Sequence, residues 1–243
     1  MQMKHFQTLK SVDSKHMDTN PQRTDIPFEN IKKGSSTTEY VDGLIAFLEK
    51  YLPYFTLETK ANKSQNENDL SEELYNHLTR KARFNSDNIT HPFEFHPEKS
   101  QKKPKQKGHA KRIDIATKLN TFDINMEVIY CIEAKKLPTD KLDGDREKEY
   151  VDGKGGAIAR FKREDHGMDD DGKLLDKNGI IAYVTEHDFQ HWHTQINTWI
   201  NDKGWLPKEL LNKEYFSKIG KLTSFHPRIS GEDVEINHFW VSI

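Results

Sequence analysis

A single cysteine, Cys131, stands in 243 residues, so the chain can form no internal disulfide. That cysteine sits inside an apolar run, where a buried, inert thiol suits a reducing compartment. Long hydrophobic runs are missing as well. Nothing approaches the roughly 20 apolar residues of a membrane span, and the polar N-terminus lacks a signal-peptide pattern. A soluble, cytoplasmic protein with no membrane partner is the expectation. Charge of one sign is also in short supply: 37 Lys and Arg face 39 Asp and Glu, a net charge of −2. Any nucleic-acid surface must therefore be local. Aromatics at 10% exclude wholesale disorder.

What is present sorts into an arm and a body. Residues 1–36 are polar, carry Pro21 and Pro27, and read as a weakly ordered N-terminal arm. Residues 37–243 read as one α/β domain: a mixed central β-sheet flanked by helices, with a core at about 66–201 and a C-terminal β-hairpin extension. Tyr40, Val41, Leu44, Ile45, Leu48, Tyr51 and Leu52 recur at three- and four-residue spacing and predict a helix ending near Pro53. Leu70, Leu74, Leu78 and Ala82 predict a second, over 67–83. Glu67 falls at the inward edge of this second stripe. Ser64-Gln-Asn-Glu67 also fits a capping box, in which the glutamate merely closes the helix start, so both roles stay open, with Glu73 as the next helical acid.

A short strand at Pro92 to His96 leads into the lysine-rich stretch 99–112, which reads as a mobile basic loop. Lys102, Lys103, Lys105, Lys107, Lys111 and Arg112 are its candidate contacts to a phosphate backbone. The next stretch alternates, with Ile113 and Ile115 expected toward the core and Asp114 on the other face. A turn returns the chain into Met-Glu-Val-Ile-Tyr-Cys-Ile-Glu-Ala-Lys-Lys-Leu, residues 126–137, an apolar strand that turns charged at its end. Side chains two apart on a strand share a face, so Glu133 and Lys135 project together. An antiparallel hairpin brings Asp114 beside them.

Beyond Pro138 the spacing predicts a helix to about Asp152, a glycine break, and a helical piece carrying Arg160, also a candidate nucleic-acid contact. A loop over 166–178, a buried strand over 179–185 and a helix over 186–201 follow. Two strands, 221–226 and 234–242, form the terminal hairpin. His187 and His191 have i, i+4 spacing but no companion ligands, so surface histidines are expected rather than a zinc site. His226 and His238 are expected to meet across the hairpin as a hydrogen-bonded pair.

Burying a carboxylate and an ammonium at a strand end is costly unless they are paired or bind an ion. Asp114 and Glu133, with Glu67 or Glu73, supply hard oxygens suited to Mg²⁺, or Mn²⁺ as substitute, with open positions left for water and a substrate phosphate. Such an ion lowers the pKa of bound water, and Lys135 would hold that water or help deprotonate it. The residue types describe a site for phosphodiester hydrolysis.

The succession of helix with acid, strand, strand with Asp114, strand with Glu133-Ala-Lys135, helix, strand resembles the core of the PD-(D/E)XK nuclease superfamily. The likeness covers about residues 66–201, and Ile113 stands where that superfamily often has proline. Asp-x-Lys and Glu-x-Lys recur elsewhere, as at Asp13, Glu58, Asp152 and Asp171, but only Glu133-Ala-Lys135 ends an apolar strand beside an aspartate. The resemblance implies a restriction-endonuclease-like αβββαβ core and metal-dependent cleavage of DNA, RNA not being excluded, in restriction or phage defence. The tail, with Gly156 to Phe161, Ser224-Phe-His226 and His238, also resembles that of small bacterial members. Little chain remains for a sequence-reading domain, so a homodimer or a partner subunit is expected. The competing expectation is a module of the same fold that holds nucleic acid or a partner without cutting.

Overall fold

A computed structural model describes residues 37–84, 90–101, 110–120, 127–140, 146 and 148–243. The expected arm at 1–36 and the basic loop's Lys102, Lys103, Lys105 and Lys107 lie outside the described residues. The chain folds as a mixed α/β molecule around one seven-stranded sheet. Helix α1 (Thr37–Tyr51) is followed by a 3₁₀ turn and a short α2 (Phe55–Glu58), then α3 (Glu67–Arg83). Strands β1 (Phe93–Gln101), β2 (Lys111–Leu119) and β3 (Val128–Leu137) form an antiparallel meander. Helix α4 (Ala157–Lys162) lies in the crossover to β4 (Lys177–Val184), which pairs parallel with β3. Then come α5 (Phe189–Asp202), β5 (Asn212–Phe216), β6 (Ile219–Pro227) and β7 (Asp233–Ser242).

The periodicities explain the layers. The stripe on α1 buries Tyr40, Val41, Leu44, Phe47, Leu48 and Tyr51, and that on α3 buries Leu70, Leu74, His77, Leu78 and Ala82. They pack on one face of the sheet with Phe93, Ile115, Ile132 and Ala134. The other face carries Ile113, Ala116, Cys131 and Leu137 under α4 and α5. All ten residues of β3 are buried because both faces of this strand are covered.

Four expectations need correcting. The terminal hairpin is no appendage, because β7 pairs parallel with β4 and places β6 and β5 beyond it in the order β1-β2-β3-β4-β7-β6-β5. Ile113 and Ile115 do not share a core; they pack into opposite layers. Lys99 is not in a loop but in β1, which runs on to Gln101. The described part of the stretch before Asp152 holds 3₁₀ residues at Arg146 and Lys148 and then turns, with Val151 N bonding Lys148 O, rather than the α-helix expected. Its carbonyls at Glu149, Tyr150 and Val151 instead receive Ala157, Ile158 and Ala159 N and so seat the start of α4. No helix among the described residues is long and apolar enough to cross a membrane.

Candidate active site

Strands β2 and β3 pair from Lys118 to Ile115 and part beyond it. Where the next ladder bond would fall, the Asp114 carboxylate takes the place of a backbone carbonyl: its Oδ2 accepts from Ala134 N at 2.6 Å. The separation opens the sheet beside Glu133 and Lys135, whose Nζ and Oε1 lie 3.7 Å apart. Glu133 is fully buried. Helix α3 completes the group from above the strand end. Glu67 Oε1 accepts from Lys135 Nζ at 2.9 Å and Oε2 from Lys136 N at 3.0 Å.

These contacts set aside the capping-box reading of Glu67. The residue capping α3 is Asn66, whose Oδ1 accepts from Asp69 N at 3.0 Å. Glu67 is thus the first helical residue, and its carboxylate serves β3 rather than its own helix start. It is Glu67, not Glu73, that meets Lys135.

Two side chains approach Glu133 from the crossover. Arg160, on α4, bonds Glu133 Oε1 through Nη1. His166 Nδ1 lies 2.8 Å from Glu133 Oε2, at ion-pair distance but without hydrogen-bond alignment, so Oε2 has no hydrogen-bond partner. His166 is buried and packs edge-on against Phe161. The sequence reading did not single it out; a loop histidine 33 positions from its carboxylate leaves no local pattern to find. Arg160, read from sequence as a nucleic-acid contact, here engages Glu133.

The electrostatics follow from burial and charge. Burial, and then the nearby Glu133 charge, push the Asp114 carboxyl up to about 7, against the pull of Lys135 and the Ala134 amide. Burial alone would raise Glu133 too, but His166, Lys135 and Arg160 outweigh it and hold that carboxyl below its ordinary range. Lys135 is depressed by burial yet ends above its ordinary value, because Glu67, Glu133 and Asp114 surround it. One carboxyl is reluctant to ionise, one is ready, and the lysine stays charged.

Among the described residues no group of three or more His, Cys, Asp and Glu side chains is placed to hold a metal. Two hard carboxylates, Asp114 and Glu133, are available, and the buried Glu133 Oε2 lacks a hydrogen-bond partner. That suits Mg²⁺ or Mn²⁺, which keep several waters and need only one or two protein carboxylates. The set fits such an ion and would not serve as a closed structural cage.

Of the basic residues read as nucleic-acid contacts, Lys111 and Arg112 stand exposed at the start of β2, and Arg112 pairs with the exposed Glu98 at 2.9 Å. His187 and His191 stack with ring centres 4.0 Å apart at the surface. His226 and His238 do meet, through Ser224, whose Oγ lies 2.7 Å from Nε2 of each. His226 Nδ1 faces Glu209 Oε1 at 3.1 Å, and Lys162 bonds the same oxygen. His238 Nδ1 lies 2.7 Å from Tyr150 Oη, which accepts from Trp240 Nε1 at 2.9 Å.

With Glu209 held at about 2 by His226 and Lys162 against its burial, the donors order themselves in one direction. Trp240 donates to Tyr150, Tyr150 to His238, His238 to Ser224, Ser224 to His226, and His226 to Glu209. The serine–histidine–acid sequence is sealed from solvent and binds β6 and β7 to α4. Compared with protein-family models, curated proteins and solved structures, the chain finds no match in any of the three.

Proposed function

We propose that this chain is a divalent-metal-dependent endonuclease of the PD-(D/E)XK kind, hydrolysing phosphodiester bonds of DNA in the cytoplasm. The observation that carries the reading is the convergence of Asp114, Glu133, Lys135 and Glu67 where β2 and β3 part. The order α3-β1-β2-β3-α4-β4 supports the same reading. Asp114 and Glu133 would hold Mg²⁺ or Mn²⁺, which supplies an acidified water and positive charge at the phosphate. Asp114 must lose its proton to ligate. Glu133 is already ionised. Lys135, held charged and oriented by Glu67, sits to stabilise negative charge on the attacked phosphate rather than to accept a proton. The exposed Lys111 and Arg112 would meet the backbone beside the scissile bond.

The purified full chain should nick or cut DNA in Mg²⁺ or Mn²⁺, with Lys135→Ala slower by roughly 100-fold or more. DNA and RNA left intact by both proteins would sink the proposal. A second reading, a module that holds nucleic acid or a partner without cutting, draws on Glu133 being already paired with the Arg160 guanidinium. Calorimetry with Mn²⁺ separates the two, since a binding-only module need show no site that Asp114→Asn abolishes.

A further inference from the structure

Arg160 and His166 both reach Glu133, but they differ in freedom. His166 is 1% exposed, locked between the loop and Phe161. Arg160 is 28% exposed along its side chain, so its guanidinium has an open path to solvent while its partner Glu133 has none. The Arg160 guanidinium occupies the same carboxylate oxygen that Lys135 approaches at 3.7 Å. A buried carboxylate needs a cation, and helix α4 supplies one to Glu133 in Arg160.

We infer that Arg160 is a built-in substitute for the divalent ion on Glu133, and that the ion displaces it outward onto a phosphate oxygen of the nucleic-acid backbone. The inference rests on the metal-nuclease reading above. A guanidinium is suited to both stations, because its planar fork matches carboxylate and phosphate alike. Helix α4 holds the pivot. Ala157, Ile158 and Phe161 are buried in the sheet layer, so the backbone stays while the long side chain exchanges partners. The exchange also links the two binding events: the ion must expel a cation to enter, and the expelled cation then favours phosphate. Metal and nucleic acid should therefore bind with positive coupling.

Two measurements on the full chain test this. In calorimetry with Mn²⁺ alone, Arg160→Ala should bind the ion more tightly than the parent, by roughly tenfold. The same variant should lose the coupling, so that Ca²⁺ no longer tightens its binding to a DNA duplex. If Arg160→Ala binds Mn²⁺ no better than the parent while keeping its fold by circular dichroism, the inference fails and the nuclease reading stands. If neither protein binds Mn²⁺ at all, the metal reading itself fails and takes the inference with it.

Should the variant not fold, the parent still decides the matter. The side-chain Nε–H signal of Arg160 in nitrogen-15 spectra should move to a solvent-exchanging position on saturation with Mg²⁺. A signal unchanged at saturating Mg²⁺ overturns the inference.

Discussion

Asp114 is a carboxyl that its own fold discourages from ionising, and the consequence for stability has a definite sign. Its ordinary value is 3.8 and its value in the fold is about 7. The native state therefore holds a proton that the unfolded chain gives up, and stability is lost as pH rises from about 4 through 7. Asp114→Asn removes that loss while an amide oxygen can still accept from Ala134 N. Without metal, the variant should be the more stable protein above pH 7. The gain is at most about 4 kcal/mol, from roughly 1.4 kcal/mol per pH unit, and it should vanish near pH 4. Urea unfolding at pH 4 and pH 8 checks both halves. Added Mn²⁺ should stabilise the parent at pH 8 and leave the variant unmoved.

Elements decide where such residues end up, and they were unevenly legible. The extent of helix α3 was legible because four apolar side chains repeat at helical spacing, although its cap is Asn66 and not the Ser64 of a capping box. The sequence alone placed Glu133 and Lys135 on one strand, since alternation is a local property. Arg160 and His166 could not be assigned to Glu133, because the crossover folds back over 27 and 33 residues with no periodic signal. The place of β7 between β4 and β6 was hidden for a related reason: a hairpin pairs its own strands locally, and nothing local says which outer strand joins the sheet.

The glycines of the crossover were legible as a break, but their purpose emerges only in three dimensions. Gly156 precedes α4, and a side-chain carbon there would lie 2.5 to 2.6 Å from the Asp152 backbone. Gly156→Ala should therefore push α4 off its seat, costing about 1–3 kcal/mol as overpacking does. A urea midpoint equal to the parent's would show that the turn yields freely.

At the scale of the whole molecule, buried titratable groups on both sides of the sheet set its response to acid. His77, on the buried stripe of α3, bonds Tyr51 O at 3.0 Å, and burial holds it below its ordinary range. His226 and His238, in the opposite half, are lowered first by burial as well, His238 furthest. Each is neutral in the fold, while the unfolded chain takes up a proton below about pH 6.5. Their contribution is present above that pH and is lost as pH falls toward their folded values. Glu209, lowered to about 2, and Glu133 act in the same direction below about pH 4.5. Asp114 alone acts oppositely, between about 4 and 7.

The lowered histidines outnumber the single raised aspartate, so stability should rise with pH through the upper part of the window between about 4.5 and 6.5. In the metal-free protein the curve should then turn downward toward pH 7, where the histidines have finished titrating and Asp114 still subtracts, and level beyond it. Because the histidines sit in both layers, the acid loss should appear as one cooperative transition. Urea melts followed by tryptophan fluorescence and by circular dichroism should coincide at every pH. A stability that stays flat or falls from pH 4.5 to 6.5 would mean that the hydrogen-bond chain through Ser224 accepts a proton without breaking, and that His226 or His238 is charged in the fold.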